Sequence, residues 1–92
     1  MHQEKITILF VINTNKTNQK GLCPLSCRIT LNRVRKQFAT GLFVNPSYWE
    51  SKLQKVTVQD SNHKYINTQL ERIQVKIYNI ALVFLYLLPT SH

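Results

Sequence analysis

The stretch "CRITLNRVRKQF", residues 27–38, decides the fold. Apolar and polar residues alternate on both sides of Asn32-Arg33, the period of two that marks strands covered on one face. With Asn32-Arg33 as the two central residues of a hairpin turn, Leu31 stands opposite Val34, Ile29 opposite Lys36 and Cys27 opposite Phe38. Asn tolerates the positive φ of such a turn, and Arg33 adopts it less readily than glycine would. On that register one face holds Leu25, Cys27, Ile29, Leu31, Val34 and Phe38, a core wall. The opposite face holds Ser26, Arg28, Thr30, Arg35, Gln37 and Ala39, and every charge on it is positive.

The flanking segments supply the rest of a small sheet and one helix. "EKITILFVIN" (4–13) is rich in β-branched and aromatic residues and reads as a first strand, with Ile6, Ile8, Phe10 and Ile12 on one face. Lys5, Thr7, Leu9 and Val11 share its other face, so the alternation there is incomplete. "TNKTNQKG" (14–21) is a polar loop with two lysines. Pro24 opens the second strand where no ladder N–H is needed. The third strand, "VRKQFAT" (34–40), ends at Gly41. Asn45-Pro46 marks a turn, and Trp49 plugs the core beneath it. From Asp60 the period lengthens to about 3.6: Ile66, Leu70, Ile73, Ile77, Ile80 and Phe84 form the stripe of an amphipathic helix. Asp60, Ser61 or Asn62 caps it and Pro89 stops it. Such a helix, about 40 Å long, overhangs a three-stranded sheet, and its free end "VFLYLL" (83–88) is apolar nearly all round.

Charge is the second signal. The 92 residues carry twelve Lys/Arg against four Asp/Glu, a formal +8. Residues 1–59 hold nine of those cations and two anions, and no acidic residue lies between Glu4 and Glu50. That asymmetry is the footprint of a polyanion binder. A solvated basic surface, or the ordinary polar outer face of an antiparallel sheet, is the plainer alternative.

Other chemistry finds little support. Cys23 and Cys27, four residues apart on one strand, would be separated by roughly 13 Å, too far for a disulfide. They read as buried or strand-opening thiols in a reducing cytoplasm. His2, His63 and His92 are scattered, so no metal site is expected. No Gly-rich phosphate loop, nucleophile–base pair or carboxylate pair is present, so neither a catalytic residue nor a cofactor is expected. Tyr48, Tyr65, Tyr78 and Tyr86 read as packing residues rather than nucleophiles. "KITILFVIN" lacks the features of a secretory signal, and "IALVFLYLL" (80–88) is far shorter than the roughly 20 residues that span a bilayer.

A basic sheet face suits duplex DNA, whose major groove, about 12 Å wide, admits a β-ribbon. Arg28 and Arg35 can fork onto guanine O6/N7 or phosphates, Gln37 can pair with adenine, and Thr30 can touch a thymine methyl. Lys16, Lys20, Arg33, Lys52 and Lys55 suit the flanking backbone, where contacts position without specifying. Single-stranded RNA would call for aromatic rings on that face, and it has none.

Residues 21–56 resemble the N-terminal arm-type DNA-binding domain of tyrosine recombinases (integrases) from Bacteroides-type mobile elements. The resemblance rests on an ordered series: Gly21, Pro24, Arg28-Ile29-Thr30, Thr40-Gly41, Asn45-Pro46, Trp49, then Lys52 and Lys55. It continues through "NTQLERIQVKIYNI" (67–80) and covers about 5–80. It implies a three-stranded antiparallel sheet packed on a C-terminal helix, with the sheet in the major groove of arm-type sites and Arg28, Thr30, Arg35 and Gln37 at the reading positions. Arg33 departs from the glycine common after Asn in that family.

The expectation is therefore an α+β domain, β-β-β-α, over residues 1–92, with a sheet at about 4–58 and a helix at about 61–88. It binds duplex DNA in the cytoplasm without catalysing a reaction, and no core-binding or catalytic domain follows in this sequence. The competing reading is an oligomerisation module, a homodimer through Val83–Leu88. A membrane-surface helix is third, because Lys64, Arg72 and Lys76 are few cations for a lipid-binding face.

Overall fold

The turn at Asn32-Arg33 forms as its sequence requires. In the computed structural model, which describes residues 6–87 and the side chains of residues 6–82, φ is 52° at Asn32 and 68° at Arg33. Two successive positive φ values make the tight hairpin turn whose twist matches its strands. The strands it joins are β2 (Cys23–Leu31) and β3 (Val34–Val44), and the observed pairs Leu31 with Val34, Ile29 with Lys36 and Cys27 with Phe38 are the expected ones. Strand β1 (Ile6–Ile12) pairs antiparallel with the other side of β2, giving the order β1-β2-β3. One long helix, α1 (His63–Leu87), completes the β-β-β-α plan among the described residues.

Gly41 does not end β3. The strand continues to Val44 through a bulge: Ser26 faces Ala39 but Pro24 faces Phe43, so Thr40, Gly41 and Leu42 answer Leu25 alone. Gly41 takes a φ of 82°, open to glycine at no steric cost. Thr40 holds the distortion, its Oγ1 donating to the Leu25 carbonyl (2.8 Å) and accepting from the Leu42 N–H (3.1 Å). The hydroxyl replaces ladder bonds that the bulge breaks.

The core gathers over β1, β2 and the Leu42–Val44 end of β3. Phe10, Leu25, Cys27, Val44, Val56, Ile66 and Leu70 are buried there, with Trp49 plugging it as expected. Full burial of such side chains stabilises by about 1.5–3 kcal/mol each. Cys23 and Cys27 are both buried and free, and burial pushes the Cys27 thiol pKa up. Asn62 occupies the cap position of α1, its carbonyl accepting from Ile66 N–H (3.0 Å), while the Asp60 carboxylate receives the Asn62 N–H (2.8 Å).

The helix does not cover all of the predicted core wall. Val34 is 58% and Phe38 42% exposed, because the helix contacts leave the turn-proximal half of β3 bare. Ile80 leaves the core as well: Ile73 and Ile77 are half-buried, but Ile80 is exposed, as are Tyr78 and Leu82. At 25 residues, about 37 Å, α1 outruns the sheet. Among the tyrosines, Tyr48 packs on the core, but Tyr65 and Tyr78 are exposed and do not serve as packing residues. The expectations for Lys5, Pro89 and the side chains of Phe84, Tyr86 and Val83–Leu88 lie outside the described residues.

Two carboxamides stand in for missing strands. A short hairpin, β4 (Trp49–Glu50) with β5 (Lys55–Val56), follows a 3-10 turn at Pro46–Tyr48. From its loop, Gln54 Oε1 accepts the Phe10 N–H and Gln54 Nε2 donates to the Phe10 carbonyl (3.1 Å), so one side chain pairs the outer edge of β1 as a peptide would. Asn67 does the same from α1, accepting from Val56 N–H (2.8 Å) and donating to the Val56 carbonyl (2.9 Å). Helix, hairpin and sheet are tied together by these bonds, which satisfy backbone groups that the short elements cannot.

Candidate nucleic-acid interface

Strand alternation fixes which side chains share the face away from the helix. Across the three strands its rows are Thr7–Thr30–Arg35, Leu9–Arg28–Gln37 and Val11–Ser26–Ala39. The four predicted reading residues, Arg28, Thr30, Arg35 and Gln37, are thus brought together on neighbouring rungs of β2 and β3. Arg35 is diagonal to Arg28, about 7–8 Å away between Cα atoms. No strand of this sheet contains an aspartate or glutamate. Two like charges thus stand near one another with no counter-charge in the sheet, an arrangement open to an anion.

Arg28 is not free to wander. Its Nε donates to Gln37 Oε1 across the strand pair at 3.3 Å. The terminal guanidinium nitrogens remain for a forked contact, and the Gln37 oxygen keeps a second lone pair beside two N–H donors. Arg28 and Gln37 therefore present one composite hydrogen-bonding edge, whereas the sequence read them as independent contacts.

The other predicted cations surround this face without joining it. Arg33 projects from the hairpin turn at one end of the sheet. Lys16, at the end of a 3-10 turn (Thr14–Lys16), and Lys20 lie in the β1–β2 connection at the other end, on the order of 20 Å away. Lys52 and Lys55 belong to the β4–β5 hairpin that Gln54 fastens to the β1 edge, and Lys55 stands opposite Glu50, which answers part of its charge. All five are exposed.

Sequence reading passed over Lys36. It lies in the row Ile8–Ile29–Lys36, on the helix side of the sheet, yet it is exposed because the helix leaves that half of β3 uncovered. The signal was present: a lysine opposite Ile29 in a core row fits only where the core has ended. Leu9, 39% exposed in the Arg28–Gln37 row, adds an apolar element to the basic face.

Among the described residues no group of three or more His, Cys, Asp or Glu could hold a metal ion, and no helix is long and apolar enough to cross a membrane. Neither a curated protein nor a solved structure matches the chain. A family model does, that of the arm DNA-binding domain, over residues 10–85. The match takes in all of β2 and β3, the bulge, the β4–β5 hairpin and nearly the whole helix, and by it the chain belongs to the arm DNA-binding domain family.

Proposed function

We propose that this domain reads duplex DNA in a sequence-specific way, as the arm-site-binding module of a tyrosine recombinase encoded by a mobile element of the Bacteroides type. One observation carries the reading: Arg28, Thr30, Arg35 and Gln37 converge on one face of a sheet that contains no acidic residue. Arg28 and Arg35 supply forks for guanine or phosphate, and Gln37 steadies Arg28 while offering its amide to adenine. Thr30 sits between them for a thymine methyl or a hydroxyl contact. Lys16, Lys20, Arg33, Lys52 and Lys55 are the backbone anchors. The module binds without chemistry of its own, and strand cleavage and joining fall to core-binding and catalytic domains. Its setting on this reading is the cytoplasm, at the bacterial nucleoid.

The test is an anisotropy titration of duplex from the element's ends beside scrambled duplex, at two salt concentrations. If 4–6 cations meet phosphates, the log–log salt slope is about −4 to −5. Tighter binding to the ends, lost in Arg28→Glu/Arg35→Glu, supports specific reading by the sheet. A flat salt dependence, or unchanged binding by the double variant, refutes it.

A second reading has its own observation. Val75, Tyr78 and Leu82 are exposed at spacings of three and four, so one stripe of α1 is apolar without a cover among the described residues. A second copy pairing along that stripe would give a dimer that Leu82→Glu dissolves and sheet charge reversal leaves intact. Sedimentation of the unsubstituted chain beside the two variants decides it: an unsubstituted chain that is monomeric at all concentrations rules the dimer out.

A further inference from the structure

The two edges of the sheet are built differently, and the difference bears on how it meets DNA. The β1 edge is closed at Phe10 by the Gln54 carboxamide and flanked by the β4–β5 hairpin. The β3 edge is the opposite border of the sheet, and every residue from Val34 to Ala39 is exposed, whichever face it points to. The cations of the sheet follow the same division. Arg28, Arg33, Arg35 and Lys36 all belong to the β2–β3 hairpin, while β1 (Ile6–Ile12) carries none. A sheet laid flat on DNA would press uncharged Thr7, Leu9 and Val11 toward the phosphates and turn Lys36 away from them.

Resting on the DNA-binding reading above, we propose that the sheet enters the groove tilted onto its β3 edge, so that Lys36 on the reverse face contacts the phosphate backbone of one groove wall while Arg28, Arg35 and Gln37 face the base edges and the other wall. The dimensions agree. A strand with side chains on both faces is about 10 Å thick, against a major groove about 12 Å wide. Val34 and Phe38, the exposed apolar neighbours of Lys36 on that face, then meet sugar or thymine methyl rather than water. Lys36 becomes a positioning contact, adding affinity without sequence information.

The experiment measures the salt dependence of binding to a fluorescein-labelled mixed-sequence duplex of about 20 base pairs. It compares the full chain with Lys36→Gln, Arg35→Gln and the helix-surface control Lys64→Gln. Each lost phosphate contact lowers the slope by about 0.9, so Lys36→Gln and Arg35→Gln both fall by about that amount and Lys64→Gln does not. Lysine acetylation with and without duplex gives a second readout, in which bound DNA protects Lys36 and leaves Lys64 reactive. A Lys36→Gln slope equal to that of the unsubstituted chain, with Lys36 still reactive in the complex, overturns the tilt and favours flat docking if Arg35→Gln still lowers the slope. Unchanged slopes and unchanged affinities in both Lys36→Gln and Arg35→Gln instead overturn DNA binding by the sheet, and the tilt with it.

Discussion

Gln54 makes a sharp test of how the sheet is held. Its carboxamide closes both backbone groups of Phe10 and also donates to the Ser51 carbonyl (2.9 Å), all from a residue whose own φ is 56°. Gln54→Ala removes the three bonds and keeps the unfavourable backbone. At about 1 kcal/mol net for each part-buried bond to Phe10, and little for the exposed one to Ser51, it destabilises the domain by about 2 kcal/mol. Gln54→Gly loses the same bonds but relieves the left-handed conformation, worth about 1 kcal/mol, and should cost only about half as much. For a domain of this size 1 kcal/mol is about 4–8 °C in Tm, so the two variants separate clearly from each other. Urea unfolding followed by Trp49 fluorescence, with an unchanged m-value, gives both numbers. A cost below about 0.5 kcal/mol for alanine would refute the claim that this side chain acts as a strand, and glycine as damaging as alanine would refute the strain at its backbone.

Other consequences pull stability and binding apart. Arg33→Gly should stabilise the hairpin by about 0.5–1 kcal/mol by easing the positive φ, yet weaken duplex binding and lower the salt slope, the two effects read by thermal melts and anisotropy. Leu70→Ala, at a buried helix position, should cost about 2–5 kcal/mol in urea unfolding, whereas Ile80→Ala on the overhang should stay within about 0.5 kcal/mol. Burial raises the Cys27 thiol pKa in the folded state, so its contribution to stability is fully present below the ordinary thiol pKa, about 8.5, and is lost as pH rises through the higher folded value. Stability–pH curves should therefore drop less steeply above about pH 8.5 in Cys27→Ala than in the unsubstituted chain, and an identical drop would show that the thiol is not responsible.

What residues 27–38 determine is local and therefore legible. Two turn positions and a period of two fix the β2–β3 register, and with it the company of Arg28, Thr30, Arg35 and Gln37, because each strand residue can face only one of two sides. The helix is equally plain in its first half, where Ile66 and Leu70 recur at core spacing. Alternation says which side a residue is on, but not whether anything covers that side. Val34 and Phe38 read as core and Lys36 as an oddity until the helix is seen to lie over β1, β2 and the far end of β3, leaving the turn-proximal strand bare. Gly41 looked like a terminus because a single sequence shows the break in alternation and not Thr40, whose hydroxyl carries the strand across it. Gln54 gave no signal at all, since its partner is Phe10, 44 residues away, and only the closing of the chain brings an amide to a sheet edge. Sequence spacing chose the charged face, and long-range packing chose the edge left open beside it.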